Sequence, residues 1–160
     1  MTIPVFYSFH YANDVFRVNL VRNIGALDDN KPVSENDWEQ VKRRGNAAIQ
    51  NWIDENMKWR RCVIVLIGSQ TYYREWVRYE IKKAWDSGKG LLGIYIHNLN
   101  SLNKGTSPQG LNPFSYFHVG QTRMDQLVPC YDPGFYAYTT ISQNMESWVN
   151  TAVSAAAARR

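Results

Sequence analysis

Residues 62–67 read Cys-Val-Ile-Val-Leu-Ile, six consecutive apolar positions of which four are β-branched. A run this short and unbroken has no polar face to give to water, so it predicts a strand buried on both sides, as in a parallel sheet covered by helices. Gly68 and Ser69 end the run, and Ser69 is placed to cap the helix that follows by accepting from one of its free N–H groups. At about 100° per residue, Trp76, Val77, Ile81, Ala84 and Trp85 share one arc of that helix, with Lys82 and Lys83 toward its negative end. Glu80 falls inside the apolar arc, one turn after Trp76. Two readings of it stand open: a carboxylate that bends out to Lys83 or solvent, or one that faces a cavity beside an aromatic wall, where low dielectric strengthens its hold on hydroxyls or on a developing cation.

The 160 residues, 44% of them hydrophobic, suit one domain with its own core. Ile3 to Phe9 reads as a first strand with Ser8, Phe9 and His10 at its carboxyl end, and Asn13 or Asp14 as the cap of a helix carrying Val15, Val18 and Val21 and stopped by Gly25. Residues 26–37 form a polar loop with room for a very short strand at 31–33. A stripe from Trp38 through Val41, Gly45, Ala48, Ile49, Trp52 and Ile53 to Met57 then traces one long helix, with Ser34 and Asp37 in a capping arrangement. Leu91 to Ile96 repeats the buried-strand pattern, Leu127 to Tyr131 gives a last strand, and Ile141, Met145, Trp148, Val149, Ala152, Val153 and Ala156 mark a terminal helix. Between them, residues 98–125 make a long irregular insertion or loop, a candidate lid or contact surface carrying Phe114, Tyr116 and Phe117. Strands alternating with helices predict an α/β, flavodoxin-like, three-layer domain with a central parallel sheet of about five strands. Ligands of such sheets bind outside the carboxyl ends of the strands. That edge collects Ser8, Phe9 and His10, Gly68 and Ser69, and His97 and Asn98.

Several chemistries are excluded by what those strand ends lack. The chain has neither G-x-G-x-x-G after the first strand nor G-x-x-x-x-G-K-[ST], so the standard phosphate cradles are missing. No Asp ends the central strand, as a phosphoacceptor domain would need, and no G-x-S-x-G elbow is present. The net charge of +4 is mild, and the cluster Lys42, Arg43 and Arg44 reads as a solvated helix face rather than a nucleic-acid footprint. Two cysteines without metal-ligand spacing predict neither a metal site nor a disulfide framework. No apolar run approaches the ~18 residues of a membrane span, and no leader pattern opens the sequence, so the expected location is the cytoplasm.

Val5-Phe6-Tyr7-Ser8-Phe9-His10, the segment from Phe16 to Asn23, and above all Leu66-Ile67-Gly68-Ser69-Gln70-Thr71 with Trp76-Val77-Arg78-Tyr79-Glu80-Ile81 resemble the TIR-like proteins of bacterial Thoeris anti-phage defence, the ThsB type. The resemblance covers residues 3–100, with Asn112-Pro113-Phe114 a fainter match, and Trp76 to Glu80 has the W-x-x-x-E spacing of catalytic bacterial TIR domains. It implies a single TIR-like domain over residues 1–160, and an enzyme that takes NAD as substrate rather than cofactor. Such an enzyme cleaves the nicotinamide–ribose bond and makes a cyclic ADP-ribose isomer that activates a separate effector, with a phage protein as its trigger. By the family's pattern Glu80 is the catalytic glutamate. Ser8, Phe9, His10, Ser69 and Trp76 would line the substrate pocket, and Trp38 would close it from the second loop. Residues 28–33 lack the Arg-Asp and Pro-Gly features usual in that loop, and residues 98–125 replace a compact region, so whether the chain forms a homo-oligomer stays open. The rival reading is a non-catalytic TIR-like interaction module in which Glu80 is a structural charge.

Overall fold

The structure, a computed structural model, describes residues 3–24, 40–100 and 105–159. Four strands, β1 (Val5–Ser8), β2 (Cys62–Ile67), β3 (Gly90–Tyr95) and β6 (Cys130–Tyr131), form a sheet in the order β1-β2-β3-β6, every pair parallel. The short strand expected at 31–33 lies outside the described residues. A separate two-stranded hairpin joins β4 (His118–Val119) to β5 (Thr122–Arg123).

β2 is buried along its whole length, and the alternation of a strand explains how one run feeds two cores. Cys62, Ile64 and Leu66 point to the face covered by α1 (Tyr11–Arg22) and the terminal helix α4 (Ala137–Arg159), where Val18 and Val21 meet Ile141, Met145 and Val149. Val63, Val65 and Ile67 point to the other face, under α2 (Asn46–Met57) and α3 (Glu75–Asp86), against Ile49, Ile53, Met57, Val77 and Ile81. Two apolar layers around one parallel sheet give the three-layer α/β architecture anticipated from the strand runs.

Three local expectations are corrected. The stripe leading to Met57 does not run down one helix: residues 40–43 are helical, but Gly45 sits at φ 92° and α2 starts afresh at Asn46. A positive φ is easily adopted only by glycine, so the residue read as part of the apolar stripe is the break in it. α1 begins at Tyr11, with His10 in the capping position and no side-chain cap, so Asn13 and Asp14 lie in its first turn instead of preceding it. After β2 a single 3-10 turn, Thr71–Tyr73, intervenes before α3 starts at Glu75, and the Gly68 N–H donates to Thr71 Oγ1 at 2.8 Å. The turn is therefore closed by Thr71, and Ser69 caps no helix.

Within residues 105–125 the chain makes 3-10 turns at Pro113–Tyr116 and Met124–Gln126 around the hairpin. Phe114 is fully buried in the α2–α3 core, its backbone N–H held by Asn112 Oδ1 at 2.9 Å. Arg17, itself buried, fixes the start of this stretch by donating to the carbonyls of Leu99 and Gly105, each at 3.0 Å. No helix of the described residues is long and apolar enough to cross a membrane.

Candidate functional site

At the carboxyl end of β1 the chain turns directly into α1, which leaves Phe9 and His10 at the sheet edge while Ser8, the last strand residue, stays fully buried. α3 passes beside this edge. Its apolar arc delivers Val77 and Ile81 to the core and carries Glu80 with them, so the carboxylate is 7% exposed. Of the two readings left open by the sequence, the structure shows the inward one. Lys83 instead lies 3.8 Å from Asp54, on the outer side.

Glu80 Oε1 accepts a hydrogen bond from Ser8 Oγ at 2.7 Å, between two buried side chains. Burial pushes the Glu80 carboxyl up from 4.5 to about 8, against the opposing pull of the Ser8 hydroxyl, which favours the ionised form. At neutral pH the unliganded carboxyl thus holds its proton. Its strongly perturbed titration together with a cleft is the combination expected of a chemically active group.

The cleft is a cavity of about 270 Å³ walled by β1, the start of α1, the helical stretch at 40–43, α2 and α3. Glu80 and Val77 contribute from α3, Phe6 and Phe9 from the β1 end, and Ile49 from α2. Two half-buried indoles, Trp52 and Trp76, face it from different helices, and the Trp76 ring is held edge-on by Tyr79 at 5.6 Å between centroids. Lys42, Arg74 and His10 add basic groups to the lining, beside Asn46, Tyr7 and Tyr11. His10 titrates below its ordinary range because it is partly buried and faces the Arg74 guanidinium.

Of the residues singled out from sequence, Phe9, His10, Trp76 and Glu80 border this cavity. Ser8 lies behind it and reaches it only through Glu80. Ser69 is not part of the lining: its hydroxyl lies 3.4 Å from Asn13 Nδ2, which also donates to Asp14 at 3.1 Å. Asp14 fills the space beside Gly68, where even a Cβ would collide with its carboxylate, so α1 packs directly against the end of β2. Trp38 lies outside the described residues. Sequence reasoning missed Lys42, Arg74, Asn46 and Trp52. Trp52 was hidden in a core stripe and Lys42 in a solvated cluster, and the signal that could have exposed both was Gly45, whose turn changes the direction of the chain between them.

Comparison with known proteins bears on the same elements. Residues 6–101 match the family model described as Thoeris protein ThsB, TIR-like domain. A Bacillus cereus (strain MSX-D12) protein provisionally named cyclic ADP-D-ribose synthase ThsB1 is 37% identical over 121 residues, which is 72% of this chain. The match spans 63% of that relative's own length.

Proposed function

We propose, from the premise that this chain belongs to the TIR-like domain family of Thoeris ThsB proteins, that its cavity binds NAD and breaks the nicotinamide–ribose bond. The adenosine portion then recaptures the ribose to give a cyclic ADP-ribose isomer, a messenger for a separate effector in anti-phage defence, with a phage protein as the trigger. The observation that carries the reading is Glu80: a buried carboxyl, fixed by Ser8, that opens on a cavity walled by two indoles and rimmed by cations.

The chemistry suits one carboxylate acting alone. Nicotinamide leaves a cationic pyridinium nucleoside as a neutral molecule and takes the C–N electron pair with it, so no acid need protonate it. The ribose is left with oxocarbenium character. An ionised Glu80 beside the anomeric carbon stabilises that charge more in the transition state than in the ground state, because both lie in a poorly solvated pocket. The pyridinium itself supplies the condition for ionisation, since an opposite charge at close range lowers a carboxyl pKa. A new C–O or C–N bond then forms from the adenosine side, and the proton of the attacking group passes to solvent. Trp52 and Trp76 supply flat apolar surfaces for ring stacking and exclude the water that would divert the reaction to hydrolysis.

The test is mass spectrometry of nucleotides from cells expressing the wild type or Glu80→Gln, with and without phage infection. A cyclic ADP-ribose isomer that appears in infected wild-type cells and is reduced about 100- to 1000-fold in the mutant, as for loss of a main electrostatic stabiliser, is the expected result. Equal product from both proteins removes Glu80 from the reaction. Absence of any NAD-derived product in cells that the wild type protects makes the domain an interaction module.

A further inference from the structure

The charges around the cavity are segregated. Among the described residues lining it, Asn46, Tyr7 and Tyr11 are neutral polar groups and the only acid is the buried Glu80, whereas the basic groups are His10, Lys42 and Arg74. These three come from separate elements: His10 from the β1–α1 junction, Lys42 from the helical stretch at 40–43, and Arg74 from the residue that precedes α3. Lys42 and Arg74 are exposed, and neither has an ion-pair partner among the described residues. Elsewhere on the surface cations do find carboxylates, as Lys82 does with Asp86 at 2.6 Å and Arg123 with Asp125 at 2.6 Å.

His10 adds a neutral donor. Its Nδ1 is buried without a partner, and an N–H at that position would be a desolvated donor with no acceptor. In the neutral ring a proton on Nε2 avoids that cost and gives His10 an N–H donor. Arg74 reinforces this state by disfavouring a second proton on the imidazole. The rim thus offers an ammonium, a guanidinium and an imidazole N–H, all donors, over a cavity whose inner end holds a carboxyl. A ligand that matches both ends bears a cation at one end and a dense anion at the other.

We propose that Lys42, Arg74 and His10 grip the diphosphate of a dinucleotide, and that they make this cavity select dinucleotides over phosphate-free nicotinamide nucleosides. The proposal deepens the NAD-cleaving reading and rests on it for the orientation of the nicotinamide end. Arg74 can present two parallel N–H groups to phosphate oxygens, and Lys42 acts as a point charge, so the two are complementary and not redundant. Trp52 and Trp76 line the same cavity and offer apolar surface to the ribose and ring.

The test uses the full chain and ligands that need no turnover. Isothermal titration with ADP-ribose, which keeps the diphosphate and lacks nicotinamide, is compared with nicotinamide riboside, which has the reverse composition. The double substitution Lys42→Ala with Arg74→Ala is expected to weaken ADP-ribose at least tenfold and to leave nicotinamide riboside within about twofold. Lys42→Arg with Arg74→Lys, which keeps both charges, should recover most of the loss, and His10→Phe should cost a further severalfold. Both rim cations are exposed, so the variants keep their fold, and circular dichroism checks this. ADP-ribose binding that is absent in the wild type, or unchanged in the double alanine variant, overturns the proposal. If the rim behaves as expected while infected cells make no NAD-derived product, the diphosphate grip stands and the synthase reading is the one that fails.

Discussion

Glu80 should make the fold less stable as pH rises, and Glu80→Gln should remove that dependence. In the unfolded chain the carboxyl titrates near 4.5, whereas in the folded protein burial holds it at about 8. Between those values the native state keeps a proton that the unfolded chain has released, so stability falls by about 1.4 kcal/mol per pH unit. Below 4.5 both states are protonated and the difference vanishes; above about 8 both are ionised and the penalty is constant. The full displacement corresponds to something on the order of 5 kcal/mol, a ceiling because a strained site relaxes toward solvent. Glutamine has the same size, still accepts from Ser8, and does not titrate. Urea unfolding at pH 5.5 and 7.5 would then show the wild type losing about 2–3 kcal/mol more than the mutant across that interval, several degrees in melting temperature for a chain of this size. Other buried acids, such as Asp14, pushed up to about 6 by burial, titrate in both proteins and cancel in the comparison. Parallel pH dependences in the two proteins would show that Glu80 is solvated, and the argument for its role would lose its physical basis.

Two further outcomes follow from single contacts. Ser8→Ala deletes a hydroxyl that donates to Glu80 at 2.7 Å, a bond to a charged group being worth about 1.5–3 kcal/mol; carbon-13 NMR of the Glu80 carboxyl should show it titrating about one pH unit or more higher, with Ser8→Thr close to wild type, and an unshifted titration would mean that the bond is not made. Phe114→Ala empties a fully buried site shared by α2, α3 and the Pro113–Tyr116 turn; it should cost about 3–5 kcal/mol in denaturant unfolding, and a loss below about 1 kcal/mol would show that the turn is a surface feature.

The parts of this fold that were legible are those set by periodicity. Six apolar residues in a row at 62–67 allow only a doubly buried strand, and the arc that places Glu80 with Val77 and Ile81 is geometry that any α-helix must obey. What the sequence concealed depends on contacts between distant segments. Ser69 looks like a cap, but Asp14 arrives from α1 and Thr71 takes the Gly68 N–H, so tertiary packing overrides the local preference. Gly45 counts as a permitted member of a helical stripe until its φ of 92° shows a break. Lys42 and Arg74 carry no pattern at all, because a cation on a solvated face and a cation over a cavity have the same sequence neighbourhood. Only the position of the cavity separates them.

On the proposed NAD-cleaving reading, the same burial that raises the Glu80 carboxyl also gives the site its discrimination. A carboxyl that is solvated and ionised in the free protein would attract any cation and would gain little from a pyridinium, since water already stabilises it. A carboxyl that keeps its proton until an opposite charge enters releases that proton only to a cationic ligand positioned against it, and becomes a carboxylate where water is scarce. The Ser8 hydroxyl stands ready to stabilise the anion as it forms, without having to be drawn out of solvent. Lys42 and Arg74 line the same cavity but are exposed, whereas Glu80 is buried, so the cations can meet an anion on the solvent side of the cavity. On that reading the arrangement favours a ligand carrying both charges over one carrying either, a choice that Glu80→Gln would remove while keeping the size of the side chain.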